Sequence, residues 1–523
     1  MTSSIQQLAW RHFTKKHSMA LRPEVVAFLQ ERLQMVPEDQ VGQVIEYIAS
    51  GYMKKMAGQT GAVVELQALE DIIRQLFRSH RMQTEAIDPA DHVNLVLDKY
   101  PMLSYEQEKD QFAYKLTVND HLQERFKLAF ERVSRHLKEH KVEWKLTPLK
   151  GCKACPVETR VYCFAMLVCT VDCGHRSYTL EDLDDLMPVE VEDQVFFDNL
   201  IFNGQFLIAS GVMKSSEMGR NMLSIDQVFP VPADHRSSFL RMANVPCPLK
   251  SILNESETAK TVKELERRFC AEGTAYLACF AELWLDRPDI VDDFERAVNL
   301  LIANATVPSV LLLLGSHLSS PPDIVKHPYE CFNAYKQAFK RLSVVLKRHP
   351  QLKSTRVIIA PGPNDPWSGL GAMPRKPLPS FLFEECVDGF EYVLSPDPVR
   401  LFWFSKEFVF TRDNVSCKLE QSCLSKNGGL DLTTQAKMDY LCGQGSLQPF
   451  LPDLQAVNED DYGRLCLNPI PHLLVIAEPT SGECKQVEEG SSPQLCNPDR
   501  FAYTRTFLLY NLGENHAEVL RLP

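Results

Sequence analysis

Four short stretches hold residues whose types could do chemistry: AELWLD at 281–286, GSHLSS at 315–320, GPNDPW at 362–367 and LLVIAEP at 473–479. Each contains or follows an apolar run of strand length, and in open α/β sheets ligands collect where parallel strands end. Carboxylate, imidazole and amide donors at such ends are what a two-ion phosphoester hydrolase needs, because a bridging carboxylate must offset two adjacent dications. Glu282, Asp286, His317, Asp365, Asp397 and His472 provide a scattered set of such donors. They are expected to support weak, adventitious metal binding at most.

The elements that position these loops alternate. TAYLACFAELWL, the helical IVDDFERAVNLLIANA, SVLLLLGSH, the helical YECFNAYKQAFKRLSVVLKRH and TRVIIAPGP form a β-α-β-α-β series. Strands that are apolar throughout are buried on both faces, between helices. RLFWFSKEFVFTRD, LLVIAEP and RTFLLYNLG read as a second set of strands with hairpin-like spacing.

Ahead of them, residues 146–255 change grain to short β runs joined by tight turns: VYCFAMLVCTV, a turn at Asp172-Cys173-Gly174, RSYTLED, LMPVEVED, NGQFLIASGVM and MLSIDQVF. That pattern suits a small barrel of the OB type. Barrels that bind single strands set aromatics among basic residues. TLEDLDDLMPVEVED is acidic instead, which favours a structural or protein-binding barrel.

Residues 1–85 read as a helical module. Val41, Val44, Ile45 and Ile48 recur at helical spacing, as do Leu66, Leu69, Ile73 and Leu76, and Pro23 opens the helix PEVVAFLQERLQ. This module is nearly neutral, with 10 Lys/Arg against 9 Asp/Glu. Residues 86–145 read as a linker followed by the amphipathic helix HLQERFKLAFERVSRHLKEHK. The basic end of that helix, Arg132, Arg135, Lys138 and Lys141, is expected to be a solvated face before it is a phosphate contact.

At 523 residues the chain exceeds one hydrophobic core, and two to four domains are expected. A formal charge of -12 argues against broad, salt-driven clamping onto DNA or anionic lipid, so any nucleic-acid contact is expected to be a local patch. No run of about 18 apolar residues is present, and the start has no signal-peptide core, so an intracellular protein without a membrane span is expected. The 16 cysteines lie scattered in strand-like runs, which points to reduced core thiols. Cys152 and Cys155 form a CxxC, but zinc needs a second pair, and Cys417 and Cys423 are distant and wrongly spaced. No cofactor is expected.

The order of strand ends resembles the calcineurin-like metallophosphoesterase fold, whose active members place D-x-H, G-D-x-x-D, G-N-H-[DE] and later histidines at these ends. Here Glu282 stands for the first aspartate and Trp284 for a histidine ligand, although an indole has no lone pair to donate. Ser316 stands for the bridging aspartate, Pro363 for the asparagine and Asn364 for the catalytic histidine, while Asp365 remains. The resemblance therefore implies an inactive site with no catalytic or metal residues.

A barrel before such a degenerate domain resembles the B-subunit family of eukaryotic replicative DNA polymerases. LACFAELWLD, LLLLGSHLSSPP, RVIIAPGPNDPW, MPRKPLP and NPIPHLLVIAEP are similar in order and spacing to the blocks of the epsilon form, which also begins with a small helical domain. The resemblance implies a multi-domain α+β chain: helical domain 1–85, linker and helix 86–145, OB-type barrel 146–255, and inactive calcineurin-like α/β sandwich 256–523. It implies a nuclear, non-catalytic accessory subunit that grips the zinc-binding C-terminal domain of the catalytic chain. Small histone-fold accessory subunits and helicase components are further implied partners, and Trp284 and Trp367 are candidate interface anchors. B subunits of the delta or alpha polymerases, and an OB-fold single-strand DNA-binding factor, are the alternatives.

Overall fold

The computed structural model describes residues 89–243 and 275–523 apart from 98, 107–108, 110, 116–119, 216–220, 368–370, 385, 387–390, 426–432, 481–482 and 486–493, together with 264–267, 269 and parts of 8–69. The chain divides into two compact units, Met1–Asp88 and Pro89–Pro523. The fold is mixed α+β.

In the first unit a π-helical turn, Trp10–Lys16, precedes the helix Pro23–Arg32. Proline fits the first helical position because its missing N–H has no intrahelical acceptor to serve there. Phe13, Val25, Leu29, Ile45, Ile48, Tyr52 and Leu69 share one buried cluster. Ile45, Ile48 and Leu69 of the helical pattern are thus core residues, while Val41, Val44, Leu66, Ile73 and Leu76 lie outside the described residues.

The second unit starts where the sequence reading places a linker, and the described residues there are strands: β1 (Val93–Leu95), β2 (Met102–Glu106) and β3 (Gln111–Lys115), the last two paired antiparallel. The helix His121–Glu139 follows, capped by the Asp120 carboxylate, which accepts from the N–H groups of Leu122 and Gln123. Its basic end is not a solvated face throughout. Arg132 is buried, donates to the carbonyls of Cys442 and Gly443 and pairs with Asp234, which Arg135 also holds.

A closed five-stranded barrel comes next, β4 (Arg160–Asp172), β5 (His175–Glu181), β6 (Leu186–Val191), β7 (Gln205–Ser215) and β8 (Asn221–Pro230), in the order β4-β5-β6-β8-β7. The first hairpin turns through Cys173 and Gly174, both at positive φ (47° and 83°). Alternation along β4 sends Val161, Cys163, Ala165 and Leu167 inward, and Phe164 and Met166 outward against the capped helix.

Two six-stranded sheets complete the unit. The first has the order β12-β11-β10-β9-β18-β19, with β9 (Tyr276–Ala281), β10 (Val310–Leu314), β11 (Arg356–Ala360) and β12 (Tyr392–Leu394) parallel, and β18 (Thr506–Asn511) and β19 (His516–Arg521) antiparallel. The helices Pro288–Ala303 and Pro328–Lys347 cover its outer face, where Phe280, Phe294, Phe339 and Leu342 pack. The second sheet has the order β1-β13-β14-β15-β17-β16. There β14 (Lys406–Arg412), β15 (Leu473–Ala477) and β17 (Gln494–Asn497) run parallel, and β1, β13 (Val399–Trp403) and β16 (Glu483–Lys485) antiparallel to their neighbours. Inner faces meet at Phe408 and Tyr510, whose rings lie 5.1 Å apart. RTFLLYNLG therefore joins the first sheet as β18, beside β9, and not the second strand set with which the sequence pattern groups it.

The segment before the barrel is stitched into the second sheet. Tyr100 donates its hydroxyl to Glu407 (2.9 Å) beneath the Arg400 guanidinium, Arg464 donates to the Val96 carbonyl (2.9 Å), and the Trp403 indole N–H reaches the Pro89 carbonyl (3.0 Å).

Candidate functional site

The parallel strands of both sheets end at one rim. Glu282 follows β9, Gly315, Ser316 and His317 follow β10, Pro361 to Asp365 follow β11, Arg412 and Asp413 close β14, and Glu478 follows β15. Contact between Glu282 and Arg412 joins the two sheets there.

Asp365 pins the loop after β11. Its Oδ1 accepts from the Tyr335 hydroxyl (2.6 Å) and the His317 backbone N–H (3.2 Å), and its Oδ2 from the Gly362 N–H (2.7 Å). Burial and the Asp365 charge push the Tyr335 phenol far above its ordinary range, so it stays a donor. Two backbones approach closely here. A Cβ on Gly362 would lie 2.2 Å from the carbonyl carbon of Gly315, and one on Gly315 would lie 2.1 Å from the Asp365 carboxylate. Glycine is required at both positions for space. Ser316 is buried and its Oγ accepts from the Asn364 N–H (3.1 Å), whereas the Asn364 side chain is exposed and Pro363 half-buried.

The other carboxylates are met by cations from the chain itself. Arg412 donates through Nε (2.9 Å) and Nη2 to Glu282, and through Nη1 to Asn414 (2.8 Å) and the Ala477 carbonyl (3.2 Å). Arg375 pairs with Asp397 and reaches the Arg412 carbonyl (2.8 Å). Asp413 takes the Lys418 ammonium, and Glu478 takes Lys437 and Ser416. Burial would raise the Asp413 carboxyl, but Lys418 and Arg375 outweigh it and hold the group below the usual carboxylate range. Asp397 is different: burial dominates over Arg375 and pushes it up to about 6.

The six donors named from sequence therefore do not form one cluster. Glu282, Asp365 and Asp397 lie at the rim on separate partners, and Asp286 accepts from Ser319 (2.8 Å from its N–H). His317 is buried with its Nε2 beside the Ala360 carbonyl (3.0 Å), and burial lowers its pKa. His472 sits at the opposite end of β15, where its Nδ1 accepts from the Glu407 N–H. A guanidinium already on Glu282 and an indole at 284 do not suit a two-ion centre, since a second cation would meet like charge. Among the described residues no group of three or more His, Cys, Asp and Glu side chains is placed to hold a metal ion.

Sequence reasoning misses the residues that close the rim. Arg375, Arg412 and Lys437 carry no local signal, because they lie 22, 130 and 41 residues from Asp397, Glu282 and Glu478, whereas Lys418 is five residues from Asp413. Trp284 is half-buried beside Tyr503 (4.9 Å), and Trp367 is half-buried among Phe332, Tyr335 and Phe381. Cys152 is buried and donates to the Thr147 carbonyl, Cys155 donates to the Gly151 carbonyl, and neither is in a disulfide.

The stretch that contains this rim, residues 277–485, matches the family model for the B subunit of DNA polymerase alpha/epsilon. Over nearly its whole length the chain is similar to the DNA polymerase epsilon B subunit of Arabidopsis thaliana, with 21% identity over 510 residues covering 93% of each chain. Similarity to the Homo sapiens DNA polymerase epsilon subunit 2 is also 21%, covering 92% of this chain and 93% of that one. With the DNA polymerase epsilon B subunit of Schizosaccharomyces pombe it is 26% over 256 residues, 47% of this chain and 40% of that protein. The match to the family model falls on the two-sheet body and its rim, and the similarity to DNA polymerase epsilon B subunits extends over nearly the whole chain.

Proposed function

We propose that this chain is a non-catalytic accessory subunit of DNA polymerase epsilon that acts in nuclear DNA replication. In this reading the five-stranded barrel is an OB-type domain, and the two-sheet body is a degenerate calcineurin-like phosphoesterase domain. Together they grip the zinc-binding C-terminal domain of the catalytic chain. The helical unit at the N-terminus helps tether the holoenzyme at the fork, with small histone-fold subunits and helicase components as further partners. Contact with DNA is indirect or weak.

The observation that carries the reading is the Arg412 guanidinium seated on Glu282 at the strand ends. A site that hydrolysed phosphoesters would need that carboxylate for an ion. Here it serves a sheet-to-sheet brace, so the rim supports a rigid body suited to holding another protein. The acidic charge of -12 fits a basic partner better than a DNA duplex.

The test is direct. The purified chain, mixed with the C-terminal domain of its own catalytic subunit, should elute as one complex, and Trp284→Ala or Trp367→Ala should weaken capture if these rings are anchors. Co-elution failing at micromolar concentrations overturns the reading. So does manganese-dependent phosphodiester hydrolysis that Asp365→Ala abolishes.

A further inference from the structure

Along the outer edge of the barrel the capped helix leaves a gap. Phe126 and Phe130 from the helix, Leu146, Thr147 and Pro148 from the segment entering the barrel, Phe164 of β4, and Asp182, Leu183 and Asp184 from the β5–β6 loop enclose about 210 Å³. Phe164 lies 4.8 Å from the Phe126 ring and 5.7 Å from Phe130, so three rings form one floor. Leu122 precedes Phe126 by the same four residues that separate Phe126 from Phe130, which extends this apolar stripe along the helix. Leu122 and Leu183 are each 37% exposed.

The rim of this gap is acidic. Asp182 spends its oxygens on the N–H groups of Leu149, Asp184 and Asp185, which fixes the loop but leaves its charge in place. The Asp184 side chain is exposed and has no hydrogen bond or ion pair among the described residues. Lys153 is taken by Asp185, and among the described residues no lysine or arginine lines the gap. Its volume is below the roughly 300–1,000 Å³ of small-molecule sites. One bulky side chain fills it, and two carboxylates favour positive charge beside that side chain.

We infer that this gap is a docking site for a peptide segment of a partner protein that carries an aromatic or large aliphatic side chain next to lysine or arginine. The apolar residue enters between Phe130, Phe164 and Leu183, and the cation meets Asp184 at the mouth. Aromatic anchors in preformed pockets dominate interface energies, and the charged rim gives selection and faster encounter. The inference stands apart from the reading of the chain as a polymerase accessory, because it does not depend on which chain supplies the segment.

The full-length chain is titrated into a fluorescein-labelled Gly-Ser-Lys-Lys-Phe-Lys-Lys-Ser-Gly peptide, with two control peptides, one with glycine for the phenylalanine and one with glutamate for every lysine. Leu183→Arg and Asp184→Lys alter exposed side chains, and their melting curves are recorded alongside. The expected result is binding by the first peptide that is weaker by about tenfold in either control, and by a comparable factor in each variant, with melting unchanged. Equal binding of the phenylalanine and glycine peptides overturns the site, because it leaves charge attraction alone. So does binding that both variants leave intact, or none at millimolar concentration. A dimer of the free chain that Leu183→Arg dissolves also overturns it, by making a second copy the occupant.

Discussion

The strand-end rim and the outer edge of the barrel use the same residue type in opposite ways. At the rim, Glu282, Asp365, Asp397, Asp413 and Glu478 are buried, and each is met by donors or a cation from within the chain. At the barrel edge Asp184 points into solvent beside a floor of rings and meets no cation among the described residues. A carboxylate buried without compensation costs several kcal/mol, so a rim of buried carboxylates requires donors and cations from inside the chain. An exposed carboxylate costs almost nothing to leave open. What the difference teaches is where binding capacity remains: a satisfied polar cluster has none to offer, however conspicuous its residues look in sequence.

Breaking the rim should give the largest effect. Arg412→Ala leaves Glu282 buried without its cation, and a loss of about 3–5 kcal/mol is expected in chemical denaturation. If the pair is a brace, joining Glu282→Gln to Arg412→Met should restore most of that loss, and failure to do so would show that Arg412 serves something other than Glu282. Tyr335→Phe removes one of the three donors to Asp365 and should cost about 1–3 kcal/mol by the same measurement. Asp184→Asn at the barrel edge should stay within about 0.5 kcal/mol of the parent, because its exposed side chain has no hydrogen bond or ion pair among the described residues. A large loss there would erase the contrast.

Acidity sharpens the comparison further, through the sign of two slopes. Asp397 has its folded pKa raised to about 6 from 3.8, so between those values the folded chain holds a proton that the unfolded chain has released. Its contribution to stability therefore declines as pH rises through that window, and Asp397→Asn should remove the slope. At the opposite end of the sheet, burial and then Arg236 lower His472 to about 3 from 6.5. Its contribution is present above 6.5 and is lost as pH falls, so His472→Gln should remove a slope of the other sign. Melting temperatures of the two variants against pH, each relative to the parent, check both.

Much of the architecture is legible from periodicity. The apolar runs 276–281, 310–314 and 356–360 are the three parallel strands expected, and VYCFAMLVCTV with the turn at Cys173 and Gly174 opens the barrel. The amphipathic run after Asp120 is one helix from His121–Glu139. What escapes is pairing over distance. VNL at 93–95 is too short to announce a strand, yet it completes a sheet with residues about 300 positions away. At the rim, Ser316 and Asp365 stand where the strand ends lead, but the arginines and lysines that answer the carboxylates come from other elements. Arg132 misleads for the same reason, since a basic residue on a helix looks solvated until the carbonyls of 442 and 443 arrive around it.

The short threads before the barrel bear on how this chain can be cut. Severing it near residue 88 parts the helical unit from a body that keeps all of its internal partners. A cut at the first barrel residue would strip Tyr100 from Glu407, Val96 from Arg464 and Pro89 from Trp403, exposing the flank of the second sheet. Limited proteolysis should accordingly leave a stable fragment that begins near residue 89, well upstream of the barrel whose sequence pattern looks like the natural place to start.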